Sequence, residues 1–222
     1  MTPAEPSAVE RLYTEHARFY HRFFIDLLRY GAGLEALLAA RGYLRSGMKV
    51  LDAGCGTGIL TRKLHAIARR SGLEGITYHA FDLTPAMMDL FRRWMAEHGV
   101  TDVELRRADV LRTEDLPADW KDHDLVVSSA MLEYLPKDEL ARALRNLRGL
   151  LAPNGTLVVC ISRRNVLMKW LIEVWWKANL YERAELERIF ADAGLTVRFG
   201  RFPFPYHHLN LWGHVVEARR SP

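Results

Sequence analysis

The chain has 222 residues, of which 49% are hydrophobic and 26% charged, and its formal net charge is +4. This size and composition suit one globular core, and no stretch reaches the roughly 18 uninterrupted apolar residues that a membrane span requires. The N-terminus lacks the basic segment and apolar run of a secretory signal, so we expect a cytoplasmic protein. The basic residues are interleaved with acidic ones, which does not favour a nucleic-acid partner.

The first predicted elements are helical. Apolar residues recur at helical spacing over residues 7–41. Gly31 and Gly33 are predicted to divide this region into two helices, and Gly42 is the predicted C-terminal cap of the second. We therefore expect an N-terminal helical cap over residues 7–45.

Strands and helices alternate in the next part of the chain. This alternation predicts a parallel sheet that is covered by helices on both faces. The predicted strands cover 49–52, 77–81, 103–108, 124–129 and 156–161, the helices 57–70, 85–98 and 137–150, and a turn falls at 153–155. Residues 49–161 thus form the predicted core of a single domain.

The C-terminal part follows a different pattern. A helix is predicted over residues 182–193, followed by strands over 195–200 and 213–218 with no helix between them. Two such strands can pair antiparallel. Residues 162–222 are therefore expected to add a lid helix and an antiparallel hairpin to the same domain.

The two cysteines, Cys55 and Cys160, are far apart in sequence and form no C-x-x-C motif. This spacing favours neither a disulfide framework nor a zinc site. We expect both thiols to be reduced and structural, and we predict no metal site.

A glycine-rich loop follows the first strand of the core. Asp52 precedes Gly54, Gly56 and Gly58, and a predicted helix comes next. Glycine permits positive φ and close approach of a ligand to the backbone, and open α/β sheets bind ligands at such strand ends. The G-x-G-x-G spacing differs from the G-x-G-x-x-G of dinucleotide-binding proteins.

An ordered set of motifs from Lys49 to Val159 resembles the class I S-adenosylmethionine-dependent methyltransferases. The matching segments are Leu51–Gly58, His79–Met88, Ala108–Val110, Asp124–Val127 and Leu150–Leu157. One segment departs from the family pattern, because Asn154 stands where glycine is usual. The resemblance implies a Rossmann-like, doubly wound, seven-stranded α/β sheet that is mostly parallel, with S-adenosylmethionine as methyl donor and S-adenosylhomocysteine as product.

The resemblance also assigns roles to the acidic residues at the strand ends. Asp82 would bind the ribose hydroxyls, and Asp109 the adenine amino group. Asp52 would orient the glycine loop through its amides or face the methionyl amine. The alternatives are that Asp82 caps a helix and that Asp109 is an ordinary loop carboxylate. The other predicted cofactor-binding residues are Tyr20, Gly54, Gly56, Gly58, Leu83, Met87, Val110 and Ser129, with core packing as the alternative for Leu83 and Met87.

The acceptor is expected to lie among residues from three regions: the N-terminal helix, the segment after the fourth strand and the C-terminal part. Methyl transfer needs a base only if the acceptor must lose a proton. His207 and Glu133 are the predicted catalytic residues, and His208 is a further candidate. The tryptophan-rich helix over residues 166–177 is interpreted as a lid, as a membrane-docking element or as a packed helix.

The sequence therefore predicts methyl transfer to oxygen or nitrogen of a small, apolar or aromatic acceptor. A phospholipid N-methyltransferase in contact with a membrane surface is the first alternative. An NAD(P)-dependent oxidoreductase is a weaker one, because the glycine spacing argues against it. A binding module that keeps the fold without catalysis is the third.

Overall fold

A seven-stranded sheet lies at the centre of the computed structural model, which describes residues 29–164 and 178–221. Its strand order is β3-β2-β1-β4-β5-β7-β6. Strands β1 to β5 pair in parallel, whereas β7 pairs antiparallel with both β5 and β6. The fold class predicted from the sequence is confirmed. The strands are β1 (Lys49–Ala53), β2 (Thr77–Asp82), β3 (Val103–Arg107), β4 (His123–Ser129), β5 (Leu151–Ser162), β6 (Leu195–Gly200) and β7 (Gly213–Arg220).

Helices cover both faces of this sheet and bury two apolar clusters, one on each face. No helix in the described ranges is long and apolar enough to cross a membrane. The predicted helix before residue 29, with Tyr20, and the predicted lid helix over residues 166–177 lie outside the described residues. The described helices are α1 (Tyr30–Arg41), α2 (Ile59–Arg70), α3 (Pro85–Glu97), α4 (Leu140–Leu150) and α5 (Arg183–Asp192).

Gly31 and Gly33 lie inside α1, so the prediction that they separate two helices is wrong. The reason is tertiary packing, since a Cβ atom on Gly33 would overlap the side chain of Leu209. Glycine at this position lets the C-terminal segment pack directly on the helix. The cap at Gly42 is confirmed, because this residue has φ 59° and its N–H donates to the carbonyl of Ala39 at 3.2 Å.

The turn predicted at residues 153–155 is a bulge within β5. His123 pairs with Leu151, but Leu125 pairs with Thr156, so the four residues 152–155 lie opposite Asp124 alone and β5 has three extra residues there. A short 3-10 turn, Lys137–Glu139, occupies the start of the helix predicted over residues 137–150, and α4 begins at Leu140. The turn and the helix were therefore predicted at the right residues, but the bulge and the 3-10 turn that these residues form were not predicted.

The strand order reverses direction at β1. The chain runs outward from β1 through β2 to β3 and then crosses to β4 on the opposite side of β1. In open α/β sheets a ligand binds beyond the carboxyl ends of the strands at such a switch point. The loops that follow β1, β2 and β4 meet there, and these loops together with the strand ends that lead into them carry seven of the eleven predicted cofactor residues.

Candidate active site

The loop between β1 and α2 turns through three glycines with positive φ. Gly54, Gly56 and Gly58 have φ values of 70°, 52° and 79°, which residues other than glycine rarely adopt. The N–H groups of Gly54 and Cys55 both donate to the carbonyl of Phe81, at 2.9 and 3.0 Å. The loop is thereby fixed to the end of β2.

The three glycines differ in what surrounds them. A Cβ atom at Gly54 would overlap Met131, and one at Gly58 would overlap the ring of Phe91. A Cβ atom at Gly56 would have no heavy atom within 4 Å. Gly56 is therefore the part of the loop that a ligand can approach, whereas Gly54 and Gly58 are glycines because protein packs against them.

Asp82, at the end of β2, joins the two loops at the switch point. Its Oδ2 accepts the N–H of Gly56 at 2.8 Å, and its Oδ1 accepts the N–H of Thr84 at 2.8 Å. Burial raises the pKa of Asp82, although these hydrogen bonds oppose the increase. Each carboxylate oxygen can accept a second hydrogen bond, so Asp82 keeps the capacity to bind two ribose hydroxyls. Thr84 is the N-cap residue of α3, so the alternative role of Asp82 as that cap is wrong.

Asp52 is 2% exposed and lies beneath the glycine loop. Its Oδ2 accepts hydrogen bonds from the N–H and the hydroxyl of Thr61, at 3.1 and 2.7 Å. Its Oδ1 is buried and has no hydrogen-bond partner among the described residues. Burial raises the pKa of Asp52 to about 7, more than the Thr61 hydrogen bonds lower it. An unpaired carboxylate oxygen at this position fits a cationic donor such as the methionyl amine.

Asp109 follows β3 and is half-buried. Its Oδ1 accepts the N–H of Leu111 at 2.9 Å, which closes a local turn. The neighbouring N–H of Ala108 donates to the carbonyl of Asp82 at 3.2 Å. Asp109 therefore lies at the same sheet edge as the ribose candidate, and its contact with adenine remains a prediction.

The apolar cofactor candidates pack into the protein to different degrees. Leu83 is half-buried, whereas Met87 and Val110 are 8% and 4% exposed. Val110 belongs to the larger core cluster, and its carbonyl accepts a hydrogen bond from Asn146 at 2.9 Å. Packing accounts for the side chains of Met87 and Val110, and their contact with adenine remains a prediction.

Ser129, at the end of β4, contacts the N-terminal helix. Its hydroxyl lies 2.6 Å from that of Tyr30, the first residue of α1. Ala130 then turns the chain with φ 52°, and Met131 packs on Gly54. The sequence did not identify Tyr30 as a site residue, because only the fold brings α1 to the end of β4.

Glu133 lies two residues after Met131 and is 4% exposed. Its Oε1 accepts the hydroxyl of Ser162 at 2.9 Å, whereas its Oε2 has no partner within the described part of the chain. Burial raises the pKa of Glu133 to about 7, and the hydrogen bond from Ser162 opposes that increase. Ser162 is the last residue of β5, so the pair lies at the carboxyl ends of β4 and β5.

His207 lies on the outside of the molecule. It belongs to the 3-10 turn Tyr206–Leu211, is exposed and stacks on Phe204 with ring centroids 5.8 Å apart. His208, next to it, is half-buried. The described residues contain no group of three metal-binding side chains. Of the two predicted catalytic residues, only Glu133 is buried at the sheet edge.

A family model described as a methyltransferase domain matches residues 50–155. The chain is 28% identical over 180 residues to a carboxy-S-adenosyl-L-methionine synthase from Chromohalobacter salexigens, which covers 74% of this chain and 63% of that protein. It is 29% identical over 168 residues to a ubiquinone biosynthesis O-methyltransferase from Neisseria meningitidis, covering 68% and 65% respectively. The chain thus spans less than two thirds of the length of these relatives.

Solved structures share the fold over nearly the whole chain. A magnesium protoporphyrin IX methyltransferase from Synechocystis, solved with bound S-adenosylmethionine, has a TM-score of 0.67 at 18% identity and covers 99% of this chain and 100% of that one. An S-adenosylmethionine-dependent methyltransferase from Clostridium acetobutylicum has a TM-score of 0.70 at 14% identity, covering 95% and 99%. At sequence identities this low, the structural similarity establishes a shared fold.

Proposed function

We propose that the chain is a class I S-adenosylmethionine-dependent methyltransferase that methylates oxygen or nitrogen of a small, apolar or aromatic acceptor, since a methyltransferase-domain model matches residues 50–155. The observation that carries the proposal is the hydrogen bond from Gly56 to Asp82. It holds a carboxylate with spare acceptor capacity beside the only one of the three loop glycines that borders open space. A cofactor with vicinal hydroxyls and a cationic amine suits this arrangement.

Two described carboxylates suit two polar parts of the cofactor, its ribose and its methionyl amine. Asp82 would accept the ribose hydroxyls, and the unpaired Oδ1 of Asp52 would face the methionyl amine. The backbone near Gly56 would lie against the methionyl part. Once bound, S-adenosylmethionine supplies a methyl group on a positively charged sulfur, which a lone pair of the acceptor attacks in line with the carbon–sulfur bond.

The remaining task of the protein is to position the acceptor, since alignment alone accounts for much of the acceleration of such displacements. The residues placed for this task are those at the ends of β4 and β5. Ser129, Glu133 and Tyr30 supply polar groups there, on the opposite side of β1 from Asp82. This separation leaves room for a donor beside β1 and an acceptor beside β4.

Calorimetric titration tests the cofactor assignment. We expect S-adenosylmethionine and S-adenosylhomocysteine to bind and NADH not to bind. Transfer of a labelled methyl group to a panel of small phenols and amines then tests the reaction. Absence of binding by both sulfur compounds would end the proposal, tight NADH binding would restore the oxidoreductase alternative, and binding without turnover on any acceptor would favour a non-catalytic module.

A phospholipid acceptor is the second candidate, and an exposed apolar pair favours it. Phe204 is 85% and Leu211 63% exposed, and they lie in and beside the same 3-10 turn. The test is flotation with anionic vesicles of phosphatidylglycerol and phosphatidylcholine, comparing the native chain with a Phe204→Ser, Leu211→Ser variant. Equal recovery of the two proteins with the vesicles, or no recovery of either, would remove this candidate.

A further inference from the structure

Glu133 has a buried carboxylate oxygen that no described residue hydrogen-bonds. The residue is 4% exposed, and among residues 29–164 and 178–221 only its Oε1 has a hydrogen-bond partner, the hydroxyl of Ser162 at 2.9 Å. An unsatisfied buried carboxylate oxygen is destabilising. Such a cost is characteristic of functional sites, where a ligand supplies the missing hydrogen bond.

The backbone around Glu133 is fixed, so the side chain does not leave this position easily. The N–H of Asn179 donates to the carbonyl of Glu133 at 2.7 Å, and the side-chain amide of Asn179 donates to the carbonyl of Leu135 at 2.6 Å. Glu133 itself lies within the short 3-10 turn Leu132–Tyr134. Asn179 therefore ties this turn to the segment that precedes α5.

No positive charge within the described ranges pairs with Glu133. In the described part of the chain, the thiol of Cys160 and the phenol of Tyr181 are titratable groups that interact with it. Burial raises the pKa of Cys160 to about 12 and raises the pKa of Tyr181 as well, so both are neutral near pH 7. The remaining described partner, Ser162, is also neutral. The carboxylate is consequently free to take up a proton at physiological pH.

The position of Glu133 relative to the cofactor loop is set by the chain between them. Met131 packs on Gly54 of the loop, and Glu133 follows two residues later with its side chain at the end of β5. Asp82 lies at the end of β2, across β1. Glu133 is thus on the side of the loop away from the ribose candidate, where an acceptor would meet the methyl group.

An apolar and aromatic cluster lies next to the turn that contains Glu133. Ala178 and Leu180, on either side of Asn179, are 6% and 3% exposed and pack with the half-buried rings of Tyr134 and Trp212. An acceptor with an aromatic ring and one hydrogen-bond donor suits this position, because the ring can pack on apolar side chains while the donor binds the unpaired carboxylate oxygen. An acceptor rich in charge would lose its hydration here without compensation.

We propose that Glu133 Oε2 accepts the proton of the acceptor during methyl transfer and that the acceptor is a phenol. This inference rests on the proposed function of the glycine loop. In the step, the phenolic oxygen forms a bond to the methyl carbon, and its proton passes to Glu133 Oε2. The carbon–sulfur bond breaks with its electron pair remaining on sulfur, and the carboxylic acid later releases the proton to water.

The first test compares native protein with Glu133→Gln, using phenol and 1-naphthol as acceptor probes. The glutamine keeps the shape but cannot take up the proton, so we expect turnover to fall about 10²- to 10⁴-fold. The affinity for S-adenosylhomocysteine should stay within threefold. For the native protein the rate should rise with pH through about 7, because the ionised form is the base, and this rise should be absent in the variant.

A spectroscopic readout is independent of turnover. In protein labelled with ¹³C at the glutamate side-chain carboxyl, one signal missing from Glu133→Gln should titrate near pH 7 and shift when phenol is added to the S-adenosylhomocysteine complex. Anisole, which has no hydroxyl proton, should produce a smaller shift. Glu187→Gln is the matched control, because Glu187 is an exposed residue of α5 paired with Arg183 at 3.0 Å.

Ser162→Ala keeps the proposal testable if the glutamine variant does not fold. Loss of the hydroxyl removes a hydrogen bond that favours the ionised form, so the midpoint of the rate profile should move to higher pH. Unchanged turnover and pH profile in Glu133→Gln, methylation of amines but not phenols, or no phenol-induced shift of the Glu133 signal would each overturn the proposal. Failure of the native protein to bind S-adenosylhomocysteine would instead overturn the proposed function.

Discussion

The carboxylate of Asp82 accepts the backbone N–H of Gly56 at 2.8 Å, so one side chain joins the end of β2 to the loop that follows β1. Its other oxygen accepts the N–H of Thr84, just before α3. Two segments that would contact different parts of one cofactor are thereby held in a fixed relation. A ligand that binds both needs little further ordering of this loop.

Replacing Asp82 with alanine is expected to weaken the binding of S-adenosylhomocysteine by about 1.5–3 kcal/mol, the cost of losing charged hydrogen bonds. The loss includes the anchoring of Gly56 as well as the ribose contact. Calorimetric titration measures it. Asp89→Ala is the control, since Asp89 is an exposed residue of α3 paired with Arg92 at 2.7 Å. Equal affinities of the Asp82 variant and the native chain would contradict the ribose assignment.

Alanine at Gly58 is expected to be more destabilising than alanine at Gly56. Both residues have positive φ, so each substitution carries a similar backbone strain. Only at Gly58 does the new methyl group overlap the Phe91 ring, and such overpacking costs about 1–3 kcal/mol more. Urea denaturation of both variants gives the difference in free energy of unfolding, and equal losses would show that the ring moves aside.

The sequence was sufficient where local chemistry determines structure. Alternating strands and helices, the glycine loop and the acidic residue at the end of β2 all appear at the predicted positions, because each depends on residues that are near one another in the chain. The cap at Gly42 is a further example, since positive φ and a carbonyl three residues earlier are enough to specify it.

Sequence reasoning failed where a distant segment decides the outcome. Gly33 stays helical because Leu209 packs on it, and no local signal shows this contact. Tyr30 meets Ser129 across 99 residues of sequence. Ser162 gave no signal either, since its role as the partner of Glu133 depends on the parallel pairing of β4 with β5.

His207→Ala is expected to leave turnover within twofold of the native value. The ring is exposed and stacks on Phe204, which is itself 85% exposed. Removing the His207 ring therefore changes only the protein surface and leaves the buried sheet edge as it is. The measurement is the initial rate with saturating S-adenosylmethionine and phenol. A loss of tenfold or more, with unchanged cofactor affinity, would return His207 to the list of bases.

A buried histidine pair lies away from the site. His123 Nδ1 donates to the carbonyl of Leu150 at 2.9 Å, so its Nε2 is the acceptor for Nδ1–H of His79, also at 2.9 Å. His79 stacks on Trp120 with ring centroids 4.3 Å apart. Protonation of Nε2 would place two N–H groups against each other. The pair is therefore weakened when His123 becomes protonated.

This pair predicts a loss of stability in acid. Burial lowers the pKa of His123 to about 4, whereas an unfolded histidine titrates near 6.5. The stabilisation is complete above pH 6.5 and declines as pH falls toward 4, by roughly 3 kcal/mol in all. Urea denaturation at several pH values should show a smaller decline for His123→Gln than for the native chain, and an unchanged decline for exposed His98→Gln. Parallel curves for the native chain and His123→Gln would show that other groups cause the acid sensitivity.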